Sequence, residues 1–342
     1  MTARRNHRIV VTKRGGPDVL EFVEDDLPEP AQGEVRVRVE GAGVSAYDVM
    51  VRSISMPGNP KTPYTPGEDI AGVIDALGPG VTDLELGQAV AGWTFGDMGG
   101  YSEYLCGPAE RFVPLPPGLD PVDAAAMVIN YLTAHLYLHL TAKVHNGEQI
   151  LVHGAAGGLG SALVQLGGLA GLEMYGTAST RNQPVVSSLG ATAIDYRTED
   201  FVDRIQQLTG DGVDVVFDTV SGSRQLWRSS RALRKGGRLV PIGSVATKLG
   251  GMKVIPLSLL TIGALKLIPD GRSVPLSPNM MKYPQANLDW YRNTLTELLE
   301  LAANGTLKPI VERIPMAEAA RAHELITLGH NAGKIVLTPE SP

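Results

Sequence analysis

The chain has 342 residues, of which 43% are hydrophobic and 19% charged, with a net charge of −6 and a single cysteine, Cys106. That length exceeds one ordinary core and suits two domains. The acidic balance gives no electrostatic footprint for nucleic acid, no apolar run is long enough to span a bilayer, and one cysteine excludes a disulfide framework within the chain.

The basic opening, Met1 to Arg8, leads into polar residues and a β-like stretch instead of a signal-peptide core, so the expected location is the cytoplasm. Before about Pro121, strands at Glu34 to Val39, Ile70 to Ala76 and Gln88 to Gly92 are separated by Gly- and Pro-rich turns. This is the pattern of a small antiparallel barrel. From Gln149 the character changes. Gln149 to His153 reads as a buried strand, Gly154-Ala155-Ala156-Gly157-Gly158-Leu159-Gly160 as a glycine turn, and Ser161 onward as a helix. Glycine tolerates positive φ and lets backbone N–H groups approach a pyrophosphate, which then sits at the positive end of the helix. Ala155 stands where G-x-G-x-x-G has its first glycine, and on the glycines alone a plain tight turn explains the segment as well.

The following units decide between the two. Strands at Leu172 to Thr177, Ala191 to Ile194, Val213 to Phe217 and Arg238 to Ile242 alternate with helices at Gln183 to Leu189, Phe201 to Leu208 and Arg224 to Leu233. Such alternation predicts a doubly wound parallel sheet, a Rossmann domain that binds ligands at the carboxyl ends of its strands. The tail returns to the earlier character, with a helix at Leu288 to Asn304 and a strand at Gly333 to Thr338. The expected division is a first domain over 1–124, a nucleotide-binding domain over 125–280 and a return to the first domain over 281–342. Pro269 to Pro284, rich in proline, is long for a connector and reads as a lid or an interface loop.

Four motifs in order carry a family resemblance: Pro66-Gly67-Glu68-Asp69-Ile70-Ala71-Gly72-Val73-Ile74, Val81 through Val90, Tyr131-Leu132-Thr133-Ala134 and Gly154 to Gly160, with a closing Gly333-Lys334-Ile335-Val336-Leu337. Together they resemble the medium-chain dehydrogenase/reductase superfamily, and within it the zinc-free quinone oxidoreductases, whose turn reads Ala-Ala-x-Gly-Gly-Val-Gly. Gly154 and Leu159 depart mildly from that turn. The resemblance implies an α/β fold in which a Rossmann doubly wound parallel sheet is inserted in a GroES-like antiparallel β-barrel catalytic domain.

It also bears on metal. Alcohol dehydrogenases of this superfamily hold catalytic zinc with a Cys after the second barrel strand and a His in a Gly-His-Glu motif, where this chain has Ser45 and Glu68. A four-cysteine structural site is impossible with Cys106 alone. His135 and His139 are four apart, a metal-capable spacing, but no third ligand is evident nearby. The expected metal content is none.

An acid at the end of the second Rossmann strand selects NAD and a base selects NADP. Gly176-Thr177-Ala178-Ser179-Thr180-Arg181-Asn182 contains a base and no acid, so NADPH is the expected cofactor. The resemblance implies contacts from Ser179, from Arg181 to the 2′-phosphate and from Tyr196 beyond the third strand. It further implies Ala156, Gly157, Gly158, Leu159 and Gly160 at the pyrophosphate, Thr133 at the nicotinamide ribose, Gly243 and Ser244 at the carboxamide, and Lys334. A half-exposed aromatic at a strand end explains Tyr196 equally well.

Where relatives often have Asn, this chain has Ser45, within Gly43-Val44-Ser45-Ala46-Tyr47-Asp48, and Met50 and Met56 follow instead of tyrosines. Ser45, Tyr47 and Asn130 are the catalytic candidates, with Met50, Met56, Tyr64, Trp93 and Phe95 lining the substrate pocket. Methionines form an adaptable wall that suits an apolar or aromatic carbonyl or quinone, although core packing explains each one taken singly. The resulting expectation is a metal-free, NADPH-dependent reductase of quinones or α,β-unsaturated carbonyl compounds. The alternatives are an enoyl-thioester or polyketide enoyl reductase, and an NADPH-binding protein with little turnover. A homodimer is expected through a sheet edge near Leu259 to Leu265, unless that segment is a helix packed inside its own domain.

Overall fold

The computed structural model describes residues 4–55, 58–242, 254–267 and 269–339. The chain divides into two compact units, Met1–Leu132 with Met281–Pro342, and Thr133–Met280.

In the first unit, β1 (Arg5–Val11) and β2 (Leu20–Asp26) pair antiparallel as a two-stranded sheet. The main sheet centres on β3 (Glu34–Val44), where Val35, Val37 and Val39 are buried in alternation with Arg36 and Arg38. That period of two turns one face of the strand toward the core. It pairs antiparallel with β4 (Asp69–Leu77), which pairs with β5 (Ala89–Trp93). β6 (Tyr104–Pro108) lies against β3 and β7 (Phe112–Pro114) against β5. The returning tail adds β13 (Val311–Pro315) and β14 (Lys334–Thr338), so the sheet runs β13-β14-β3-β4-β5-β7. Ile70, Ile74, Val90, Phe112, Ile335 and Leu337 fill its core.

In the second unit, β8 (Gln149–His153), β9 (Glu173–Ala178), β10 (Thr192–Asp195), β11 (Val213–Asp218) and β12 (Leu233–Pro241) lie parallel in the order β10-β9-β8-β11-β12. The strand order reverses between β8 and β11. Open sheets of this kind bind ligands at such a switch point, outside the carboxyl ends of the strands. The α/β fold class inferred from the alternation of elements is the one observed.

Three elements differ from the sequence expectation. Ala46–Ser53, to which the sequence expectation assigns no element, forms helix α1 behind the capping box Ser45-Ala46-Tyr47-Asp48. The last parallel strand starts at Leu233 instead of Arg238; its pairing passes from Leu233 to Arg238 over an irregular Arg234-Lys235-Gly236-Gly237 stretch, whose residues give no strand signal. The segment Leu259 to Leu265, expected at a sheet edge, belongs to a helix, Val254–Leu265. Its Leu, Ala and Ile content fits either state, which is the known ambiguity of short apolar runs.

One buried ion pair ties the first sheet across its central strand. Lys334 on β14 donates to the Asp69 carboxylate on β4, and both side chains are almost fully buried. Gly43 on β3 lies between them, and any Cβ there would sit 2.6 Å from the Lys334 Cε and 2.8 Å from the Asp69 Cβ. Asp69 Oδ1 also accepts from the Ile129 amide at 2.8 Å. Removing one partner of a buried pair strands the other charge and costs about 3–5 kcal/mol. Lys334→Met is therefore expected to lower the unfolding free energy by that order, read as a fall in the urea midpoint; an unchanged midpoint would show that the pair does not hold the sheet.

Candidate active site

The second unit carries the predicted dinucleotide turn. β8 ends at His153, Gly154 takes φ +66°, and helix α3 (Gly158–Leu169) starts four residues later. A Cβ at Gly160 would lie 2.1 Å from the Gly154 carbonyl oxygen, so α3 abuts the turn at a distance only glycine permits. The departure at Ala155 is accommodated by β9, because Gly176 offers no side chain where a Cβ would come within 2.5 Å of the Ala155 methyl. Gly157 is the N-cap, and the amides of Gly158, Leu159 and Gly160 open the helix with no intrahelical acceptors available to them. That is an anion-binding geometry.

Ser179 and Arg181 follow β9, and Tyr196 follows β10, its neighbour in the sheet, with Ala178 opposite Asp195. Arg181 and Tyr196 are exposed while Ser179 is buried. The turn residues Ala156 to Gly160 and these three thus share the carboxyl edge of one sheet. Thr133, buried on helix α2 (Pro121–His135), belongs to the same unit. Gly243 and Ser244 lie outside the described residues.

A polar chain missed in the sequence braces this edge. His153 Nδ1 lies 3.0 Å from Thr177 Oγ1 on β9, and Nε2 lies 3.1 Å from Ser229 Oγ. Ser229 in turn donates to Asp218 Oδ2 at 2.7 Å on β11. Burial pushes the His153 imidazole below its ordinary pKa, so a neutral ring links three adjacent strand ends. The available signal was a histidine at the end of an apolar strand, directly before the glycine turn.

In the first unit, the catalytic candidates surround a buried acidic layer. Ser45 caps α1: its hydroxyl donates to Asp48 Oδ2 at 2.6 Å and accepts from the Asp48 amide at 3.1 Å. In this structure the Ser45 hydroxyl, expected to serve a substrate oxygen, is bonded to Asp48. Asp48 also accepts from the Gly67 amide at 3.2 Å, joining α1 to the loop before Glu68. Burial raises the Asp48 carboxyl above its ordinary pKa against these stabilising bonds. Glu68, buried and close to the charge of Asp48, is pushed up to about 8. Its Oε2 accepts from the Trp93 indole N–H at 3.1 Å, and Oε1 is buried with no hydrogen-bond partner.

Trp93, Phe95 and Tyr291 form an aromatic wall beside it, with ring centroids 5.0 and 4.9 Å apart in succession. Tyr47 is half-buried and its phenol is raised by burial and by Glu68. Tyr64 is elsewhere engaged, accepting from Arg14 at 3.1 Å, with burial raising it to about 12. Met50 and Asn130 are half-buried, and Met56 lies outside the described residues. Lys334, a cofactor candidate by resemblance, has its ammonium engaged by Asp69.

Zinc does not fit the donors present. Among the described residues no three His, Cys, Asp or Glu side chains are placed to share a metal ion. Ser45 is bonded to Asp48, and one Glu68 oxygen takes the Trp93 indole N–H. The His135 and His139 rings lie 4.5 Å apart, tilted by 52°, and burial pushes His135 down to about 4. Cys106 is half-buried in β6 with its thiol raised to about 11, the opposite of an activated nucleophile.

Residues 31–117 match the alcohol dehydrogenase GroES-like domain family, and 189–337 match the zinc-binding dehydrogenase family. A quinone oxidoreductase of Sus scrofa is 33% identical over 96% of this chain and 96% of its own. The crystal structure of Escherichia coli quinone oxidoreductase complexed with NADPH superposes with a TM-score of 0.84 at 29% identity, covering 97% of this chain and all of that one. The human synaptic vesicle membrane protein VAT-1 homolog-like structure does so with a TM-score of 0.84 at 26% identity, over 99% and 100%. The chain belongs to the medium-chain dehydrogenase/reductase superfamily, among its quinone oxidoreductase-like members, and by class it is an oxidoreductase.

The close approach of α3 to its turn is open to test. Gly160→Ala forces a methyl against backbone and is expected to cost about 1–3 kcal/mol, as overpacking does. A thermal scan showing an unshifted midpoint would mean that the contact relaxes freely.

Proposed function

We propose that the protein is an NADPH-dependent reductase of quinones or α,β-unsaturated carbonyl compounds that works without a metal ion. The observation that carries this reading is the carboxyl edge of the parallel sheet, where a glycine turn opens a helix and the neighbouring strand ends in Arg181 with no acid in the Gly176 to Asn182 stretch. The E. coli relative solved with NADPH supports the same cofactor here. Bound NADPH supplies a hydride from nicotinamide C4 to an electron-poor ring or β-carbon. The turn amides would hold the pyrophosphate and Arg181 the 2′-phosphate, with Tyr196 at the neighbouring strand end beside them. Trp93, Phe95 and Tyr291 are buried and back the acidic layer from the core.

Two measurements bear on this. A charge-assisted contact to phosphate contributes roughly 1.5 to 3 kcal/mol, or about ten- to a hundredfold in affinity. Arg181→Ala should weaken NADPH binding by that factor and leave NADH nearly unchanged, whereas equal losses would remove Arg181 from phosphate recognition. Elemental analysis should find no stoichiometric zinc, and zinc that is retained after chelation and needed for turnover would contradict the metal-free reading.

The helix Val254–Leu265 exposes Leu257, Leu259 and Leu260 at 58%, 62% and 71%. We infer a homodimer that covers this apolar face by two-fold symmetry. Light scattering should give twice the chain mass of 36.3 kDa, and the single-chain mass at micromolar concentration would contradict it.

A further inference from the structure

Hydride arrival leaves negative charge on the acceptor oxygen, and without a metal some group must supply a proton there. The Ser45 hydroxyl donates to Asp48, and burial raises the phenols of Tyr47 and Tyr64 above their ordinary pKa, which makes them weaker acids. Glu68 differs from all three. It is 3% exposed, one carboxyl oxygen takes the Trp93 indole proton, and the other makes no hydrogen bond at all. A buried polar atom without a partner is costly unless something pairs with it in the working state.

The loop beside it faces that oxygen with a position that carries no side chain. A Cβ on Gly96 would meet only the Met281 Cε at 3.6 Å and Glu68 Oε1 at 3.9 Å. The same loop holds four positive-φ residues, Phe95, Gly96, Met98 and Gly99, and strain in residues other than glycine clusters where substrate is handled. It is bound to the Glu68 segment by Thr94 N–H to the Glu68 carbonyl, 3.1 Å, and Gly100 N–H to the Gly67 carbonyl, 2.9 Å.

On the reductase reading above, we propose that Glu68 is the proton donor of the reaction, giving the hydrogen on Oε1 to the acceptor oxygen. The hydride pair from nicotinamide C4 would form a C–H bond at the β-carbon of the enone or quinone. The displaced π pair moves to the carbonyl oxygen, which takes the Glu68 proton and becomes an enol; from a quinone that enol is a tautomer of the hydroquinone, reached by loss of a ring-carbon proton to solvent and gain of one on the second oxygen. Glu68 is left as a carboxylate and regains a proton from solvent.

The charged groups facing Glu68 are Asp48 on α1, Asp69 on β4 and Lys334 on β14, and Tyr47 on α1 feels its charge. Two carboxyls and burial outweigh the single ammonium, so the acid form persists through neutral pH and is lost as pH rises through about 8. A carboxylic acid kept neutral by an apolar site can donate a hydrogen bond to a developing oxyanion.

Glu68→Gln preserves volume and an acceptor for Trp93 but has no proton to transfer. It is expected to lower kcat by about a hundredfold or more, the usual contribution of general acid catalysis, with the Kd for NADPH unchanged. Wild-type kcat should fall above pH of about 8, and that limb should vanish in the variant. If Glu68→Gln does not fold, the wild type decides alone: a carboxylic C=O infrared band that titrates with the kcat limb supports the donor, and a pH-independent kcat overturns it. Equal kcat and equal pH profiles in wild type and variant would overturn the donor role and leave the reductase reading standing. Wild type that binds NADPH yet reduces no quinone or enone would overturn both.

Discussion

Asp48, Glu68 and Asp69 are buried together in the first unit, and the charge of one ammonium, Lys334, bears on all three. Burying a lone carboxylate is prohibitive unless it is paired, hydrogen-bonded or protonated, and these three groups use the three solutions in turn. Asp69 takes the lysine, Asp48 takes backbone and hydroxyl donors, and Glu68, left with one indole N–H, keeps its proton. The glycine at position 43, the cap on α1 and the strained loop after Trp93 are the local structure these solutions require.

The second unit solves a different problem, that of holding a bare helix N-terminus and flexible glycines in one geometry. Tight contacts at Gly160 and Gly176 remove the room to relax, and the His153 chain joins β8, β9 and β11 just behind the turn. An anion site built from backbone N–H groups has no side chain to reorient, so its precision depends on this bracing.

The parallel sheet was legible because its period-two and helical stretches alternate at lengths that leave few topologies, and its strands fall within a few residues of the expected places. The glycine turn was legible because only glycine tolerates its contacts. α1 was legible only in the Ser45-Ala46-Tyr47-Asp48 cap at its start, a signal that the sequence expectation leaves unused. Glu68 stands in the sequence at a relative's ligand position, and nothing in Pro66-Gly67-Glu68-Asp69 reveals that burial and the charge of Asp48, against the Trp93 indole, decide its protonation. Long-range pairings of this kind, including Asp69 with Lys334, are where a one-dimensional reading runs out.

The central claim is that these residues support hydride transfer from NADPH without metal assistance. The most direct measurement is stopped-flow loss of NADPH absorbance after mixing chelator-treated protein and cofactor with quinones, enones and enoyl thioesters in turn. The account predicts single-turnover oxidation by a quinone or enone at a rate unchanged by added zinc. Oxidation that requires zinc, or none with any acceptor by protein that binds NADPH, would contradict it.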